Sequence, residues 1–175
     1  MGASTAILAM DNRLTCRPFQ FFDYSESGAP KGSLYHYFPG GKEELGEASV
    51  RLAAKLIAEM LSEHAARHKS SAAFVKAYCS TMAKWMEESD FRYGCPIATT
   101  MLETAPQSPE LTRAGVEALD QWITVIAAVF AADGTSMSKA RTKAQTLIAA
   151  MEGALLVARV RQSSRPIMDI AASYQ

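Results

Sequence analysis

The sequence has few of the features that build metal centres, disulfide frameworks or membrane anchors. Its three cysteines, Cys16, Cys79 and Cys95, are widely spaced, with no CxxC pair or HxxxH cluster. We therefore expect no metal, no cofactor and no disulfide framework, and thiols that act as small buried hydrophobic groups. No apolar run approaches the ~18 residues of a membrane span. The opening MGASTAILAMDNR lacks a signal peptide's basic start and long apolar core, which predicts a cytoplasmic protein without membrane contact.

The sequence also lacks an excess of charge of either sign. Its 18 lysines and arginines balance 18 aspartates and glutamates, giving a formal net charge of zero. This balance excludes a strongly basic nucleic-acid binder at the level of the whole chain but leaves room for a local basic patch. No paired acid and base or activated nucleophile occurs at a meaningful spacing, so we expect that the protein is not an enzyme.

Alternation of apolar and polar residues over a useful length is missing, and the apolar residues recur instead at helical spacing. In the segment SPELTRAGVEALDQWITVIAAVFAADG, Ser108 is a natural N-cap, Pro109 a natural first helical residue, and Gly134 a natural stop. The predicted fold class is all-α, with about eight or nine helices.

Methionines and aromatic residues cluster around the segment FRYGCPIATTMLETAPQSPEL and on the helices beside it. Such residues build ordinary cores, and they also line adaptable pockets for small molecules. Both interpretations stay open at this point. The candidate ligand-binding residues are Trp85, Met86, Phe91, Tyr93, Met101, Trp122 and Met151.

One predicted helix, TLIAAMEGALLVA, alternates small and branched apolar residues nearly all round. Small residues on one face allow another helix to approach closely. That helix belongs either to the same chain or to a second copy in a symmetric dimer. The candidate dimer-interface residues are Ala150, Gly153, Ala154 and Val157.

The segment GAPKGSLYHYFPGGKEEL, residues 28–45, contains a turn, a short helix, a second turn and the start of a long helix. Leu34 and Phe38 are four residues apart and are predicted to bury together, while PGG ends the short helix and Lys42 begins the next one. Between Ser27 and Lys42 there are two lysines, one histidine and no acid. This pattern predicts a short helix that enters the major groove, with cations and hydroxyls reaching phosphates.

GAPKGSLYHYFPGGKEEL resembles the recognition-helix segment of the TetR family of transcriptional regulators, and GCPIATTMLETAPQSPELTRA resembles the LmrA/YxaF-like branch. The resemblance covers about residues 25–165. It implies a helix-turn-helix DNA-binding domain at 1–45 and a ligand-binding and dimerisation domain at 46–175. The implied function is a homodimeric repressor that leaves its operator, a double-stranded DNA site, when it binds a small apolar effector.

By this resemblance, Lys31 and Gly32 approach bases, while Tyr35, His36 and Lys42 hold the phosphate backbone. Ser33 fits either role. The long helix at about 138–161, with the helix near Pro166, forms the dimer interface, and the candidate ligand-binding residues surround the cavity.

The segment at 9–25 departs from the family pattern, which places two scaffold helices ahead of the recognition helix. The family's glycine break is missing, and Gln20 and Asp23 stand where apolar residues are expected. Two explanations stay open: divergence in a different register, or a short out-of-frame run that ends near Glu26. The alternative function is therefore a helical small-molecule-binding and dimerisation module with impaired or lost DNA binding.

Overall fold

The structure is a computed structural model, and it describes residues 33–174. Within this range the backbone forms seven α-helices and no strand, which confirms the all-α class. The predicted count of eight or nine includes segments outside the described residues. The helices are α1 (Ser33–Tyr37), α2 (Lys42–Arg67), α3 (Ser71–Glu88), α4 (Pro96–Thr104), α5 (Pro109–Ala132), α6 (Met137–Arg161) and α7 (Arg165–Ala172).

The helices begin and end where the sequence signals place them. Pro109 is the first residue of α5, and the Ser108 hydroxyl accepts a hydrogen bond from the backbone N–H of Leu111 at 3.3 Å. After α5 ends, Gly134 takes a φ of 85°, a left-handed conformation that suits glycine. The first turn of α3 is held by two side chains: Ser70 accepts from Ala73, and Asp133 accepts from the backbone of Ser71.

Among the described helices, α5 is the one long and apolar enough, by length and composition alone, to cross a membrane. Its burial pattern is that of an amphipathic core helix instead. Buried residues repeat at helical spacing along one side, while charged or polar side chains such as Glu110, Arg113 and Asp120 are exposed. The buried hydrophobic positions are Leu111, Ala114, Ala118, Trp122, Ile126, Ala127 and Phe130.

The chain forms two compact units, each made of two separate stretches of sequence. The N-terminal unit combines the described part of Met1–Lys55 with Pro96–Ala118. The C-terminal unit combines Leu56–Cys95 with Leu119–Gln175. The predicted division of function at residues 45 and 46 stays a prediction.

The core of the C-terminal unit is built where α7 packs against α3 and α6. Ile167 and Ala171, four residues apart on α7, are both buried. The Ser164 hydroxyl, just ahead of α7, donates a hydrogen bond to Glu87 near the end of α3. Cys79 on α3 is fully buried, and this burial raises the pKa of its thiol to about 11. Cys79 is therefore a core residue with little thiolate character.

Candidate functional site

The short helix α1 presents polar and aromatic side chains to solvent beside a buried anchor. Tyr35 is 65% exposed, and His36 and Lys42 are exposed as well. Phe38 and Leu45 are buried and fix this segment to the N-terminal unit. The exposed face therefore carries the phenol, imidazole and ammonium groups of the candidate DNA-binding residues, and their role in DNA contact stays a prediction.

The sequence PGGKEEL forms a capped helix start. The backbone N–H of Gly40 donates to the Glu44 carboxylate at 2.7 Å, and the N–H of Leu45 donates to the carbonyl of Gly41 at 3.2 Å. Glu43 and Glu44 lie in the first turn of α2, where carboxylates interact favourably with the helix dipole. These acids offset the unfavourable position of Lys42, which can then face solvent at the same helix end.

Gly41 positions the ring of Tyr35. Its φ is 73°, and a Cβ at this position would lie 3.3 Å from Cε1 of Tyr35. The tyrosine ring therefore lies directly over the glycine, and a side chain there would strain the backbone and press on the ring.

We expect Gly41→Ala to weaken DNA binding beyond its effect on stability. Backbone strain at a left-handed position costs about 1–2 kcal/mol. Gly134→Ala is the matched control, because Gly134 has a φ of 85° and nothing within 4 Å of an added Cβ. Thermal melting should show similar losses for both variants, while a gel shift should show weakened DNA binding for Gly41→Ala alone. Equal DNA affinity in the two variants would contradict the role of the Tyr35 ring.

The other predicted DNA-binding residues lie at or beyond the edge of the described range. Lys31 and Gly32 lie outside the described residues, as does the unusual segment at 9–25. Ser33 is the first residue of α1.

Polar contacts join α2 and α5 within the N-terminal unit, and the sequence reasoning missed them. Arg51 on α2 pairs with Glu117 on α5 and, at 2.9 Å, with Glu47 one turn away. The hydrogen bond from Arg51 lowers the pKa of the Glu117 carboxyl. Ser108, at the start of α5, donates to Glu43, at the start of α2. No local sequence pattern predicts the Arg51–Glu117 and Ser108–Glu43 pairs, because the partners are more than sixty residues apart in sequence.

The candidate ligand-binding residues fall into three groups. Met86, Trp122 and Met151 are buried in the C-terminal unit. Phe91 and Tyr93 lie in the loop after α3, in the same unit, and Trp85 on α3 is 44% exposed. The remaining residue is in the N-terminal unit: a Cβ on Gly115 would lie 2.2 Å from Sδ of Met101, so the Met101 side chain packs on α5.

A polar cluster in the C-terminal unit was not predicted. Glu152 on α6 is half-buried next to the fully buried Met151, and the Cys95 thiol donates a hydrogen bond to its carboxylate. The Glu152 carboxylate also contributes to the raised pKa of the buried Tyr78 hydroxyl, after burial itself. The sequence feature that could have indicated this cluster is the single acid, Glu152, in the apolar run LIAAMEGALLVA.

The outer face of α6 has an exposed apolar stripe. Leu156, Val157 and Val160 are 64%, 40% and 77% exposed, and Ala150 and Gly153 are exposed on the same helix. An added Cβ on Gly153 would meet nothing within 4 Å. Ala154, the fourth predicted interface residue, is 8% exposed and belongs to the buried side of the helix.

The fold is that of the TetR transcriptional regulators. A Rhodobacter sphaeroides regulatory protein TetR is similar at a TM-score of 0.85 and 20% identity, over 98% of this chain and 95% of that one. A Legionella pneumophila TetR transcriptional regulator is similar at a TM-score of 0.86 and 15% identity, over 99% and 96%.

Sequence comparison places the chain within that class. Residues 71–173 match the C-terminal domain of LmrA/YxaF-like transcriptional regulators. An HTH-type transcriptional regulator of Mycobacterium tuberculosis is 35% identical over 81% of this chain and 73% of its own length. LmrA of Bacillus subtilis, also named an HTH-type transcriptional regulator, is 29% identical over 84% and 78%. The chain therefore belongs to the LmrA/YxaF-like branch of the TetR family of transcriptional regulators, as the motifs predict.

Proposed function

We propose that the protein is a cytoplasmic, homodimeric repressor that binds operator DNA through α1 and the start of α2, and that an effector bound in the C-terminal unit releases it. The observation that carries the proposal is the exposed side of α1 and its following turn. Tyr35, His36 and Lys42 offer a phenol, an imidazole and an ammonium to solvent within eight residues. Lys31 and Gly32 complete the proposed base contacts, and Ser33 contacts either bases or phosphates.

The chemistry of this face fits duplex DNA. A lysine and hydroxyl groups at a helix start hold phosphates and fix the register of a recognition helix in the groove. Phe38 and Leu45, on either side of the turn, are both buried. These buried residues limit the movement of the exposed phenol, imidazole and ammonium groups. Contact with successive phosphates and bases of a duplex requires groups at a fixed spacing.

Dimerisation supplies the second recognition helix. The exposed stripe on α6 has Ala150, Gly153, Val157 and Val160 at alternating spacings of three and four residues, which is the pattern of a helix that packs against another helix. A second copy that covers this stripe forms a two-fold interface, which presents two copies of α1 to half-sites about 34 Å apart. An effector that binds better to a conformation with another spacing lowers operator affinity.

The proposal is tested by a gel shift with the region upstream of the protein's own gene. We expect a salt-sensitive complex, and we expect Lys42→Ala and Tyr35→Ala each to weaken it about tenfold, the effect of a lost contact worth ~1.4 kcal/mol. Lys42→Ala should also reduce the slope of log affinity against log salt by about 1 per protomer.

Two controls make this experiment decisive. Lys76→Ala removes an exposed lysine from α3 in the C-terminal unit and should leave DNA binding unchanged. Size-exclusion chromatography should show the same oligomer for all variants. A wild-type chain that dimerises but binds no DNA at low salt contradicts the repressor and supports the alternative, a small-molecule-binding module without operator binding.

A further inference from the structure

The Ser108 side chain makes two hydrogen bonds within the N-terminal unit, one more than a helix cap requires. Its oxygen accepts the backbone N–H of Leu111 at 3.3 Å and so caps α5. Its hydroxyl also donates to the carboxylate of Glu43, the second residue of α2. A serine hydroxyl has one proton to donate and lone pairs to accept, so both bonds form at once. The bond to Glu43 therefore has a role other than capping α5.

The carboxylates of Glu43 and Glu44 lie at the helix end where Lys42 is proposed to hold a phosphate. All three side chains are exposed. Charges interact over about 8 Å at physiological salt, so an acid next to Lys42 repels a phosphate bound there. Lys42 does not cancel this repulsion, because adjacent residues of a helix do not face each other. The direction in which each carboxylate points therefore affects the affinity for DNA.

Both carboxylates have hydrogen-bond donors that fix their direction. The backbone N–H of Gly40 donates to Glu44 at 2.7 Å, within the same turn of the chain. The donor to Glu43 is Ser108, which comes from the other stretch of sequence in the N-terminal unit. The local contact holds one acid, and the direction of the other depends on α5.

The helix α5 is a firm support for this contact. Arg51 on α2 pairs with Glu117 on α5 about two turns further along both helices. The two helices therefore run side by side in the same direction, with Ser108 and Glu43 joining their starts. Leu111, one turn into α5, is buried. The Glu43 carboxylate is thus held towards a packed helix of the same unit.

We propose that Ser108 is a positioning residue for DNA binding, whose hydroxyl holds the Glu43 carboxylate against α5 and away from the phosphate at Lys42. The inference rests on the proposed function, which places that phosphate. It adds a residue that acts through Glu43 and lies in the second stretch of the N-terminal unit, far from α1 in sequence.

The inference is tested on the full chain by gel shift with the DNA upstream of its own gene. We expect Ser108→Ala to weaken the complex about fivefold, which is ~1 kcal/mol, the size of an interaction between two close charges in water. Glu43→Gln removes the repelling charge. In the Ser108→Ala background it should therefore restore the affinity to that of the wild type or above.

Two further variants separate the loss of a helix cap from the loss of the Glu43 contact. Ser108→Asp keeps a cap, because aspartate caps a helix as well as serine does, but its carboxylate repels Glu43. We expect weakened DNA binding with a smaller fall in melting temperature than in Ser108→Ala. Ser70→Ala removes the cap of α3 in the C-terminal unit, where the Ser70 oxygen accepts from Ala73 at 3.2 Å. It should lower the melting temperature without changing the affinity for DNA.

Equal affinity for DNA in Ser108→Ala and the wild type overturns the inference, as does unchanged affinity in Ser108→Asp. A loss that Glu43→Gln fails to restore, or an equal loss in Ser70→Ala, also overturns it, because the effect would then come from the cap or from stability. A wild-type chain that binds no DNA contradicts the proposed function together with this inference, so the two failures are distinguishable.

Discussion

Val157→Asp should convert the proposed homodimer to monomers and lower the proposed operator affinity by about a hundredfold or more, because uncompensated buried charges cost roughly 3–5 kcal/mol. Val157 is 40% exposed in the middle of the apolar stripe on α6. In a two-fold interface each substitution occurs twice, so two carboxylates would be buried close together. Analytical ultracentrifugation reports the oligomer, and a gel shift reports the affinity.

Val116→Asp is the matched control for this change. Val116 is 54% exposed on α5, so the same substitution is made at a similar exposure away from α6. We expect it to leave the dimer intact. A Val157→Asp protein that remains a dimer at the same concentration would show that another surface holds the two copies together.

Phe74→Ala should produce the largest loss of stability, about 3–5 kcal/mol, because it leaves a cavity in a fully buried part of the core. For a chain of this size that corresponds to a fall of roughly 10 °C in melting temperature. The substitution also removes the ring that stacks on Tyr78, with ring centroids 6.4 Å apart. Calorimetry and circular dichroism measure the loss of stability.

Leu102→Ala provides the comparison for Phe74→Ala. Leu102 is 87% exposed on α4, and its truncation should change stability by no more than about 0.5 kcal/mol. A Phe74→Ala protein as stable as Leu102→Ala would mean that the site collapses without a cavity, and the buried face of α3 would then contribute less than its burial indicates.

Local sequence signals predicted the helices well because each signal acts within a few residues. Pro109 begins α5 with Ser108 as its cap, and Pro96 begins α4. The double glycine before Lys42 likewise marks the start of α2. Capping groups and backbone preferences are set by immediate neighbours, so one sequence suffices to read them.

The candidate sites were only partly predictable, because burial and pairing depend on distant parts of the chain. Trp85 follows the apolar spacing of α3 and yet is 44% exposed. Glu152 and Cys95 are far apart in sequence, and only the fold brings the Cys95 thiol to the Glu152 carboxylate. Ala154 and Val157 are both apolar residues of one helix, and the structure assigns the first to the buried side.

The discontinuous make-up of the N-terminal unit has a practical consequence for engineering. A fragment cut after Lys55 would lose Pro96–Ala118, and with it the partners of Glu43 and Arg51. We therefore expect such a fragment to be less stable than the same residues in the intact chain. A chimeric regulator that takes its proposed DNA-binding segment from this chain should include both stretches. The segment then keeps the contacts of Glu43 and Arg51 with α5.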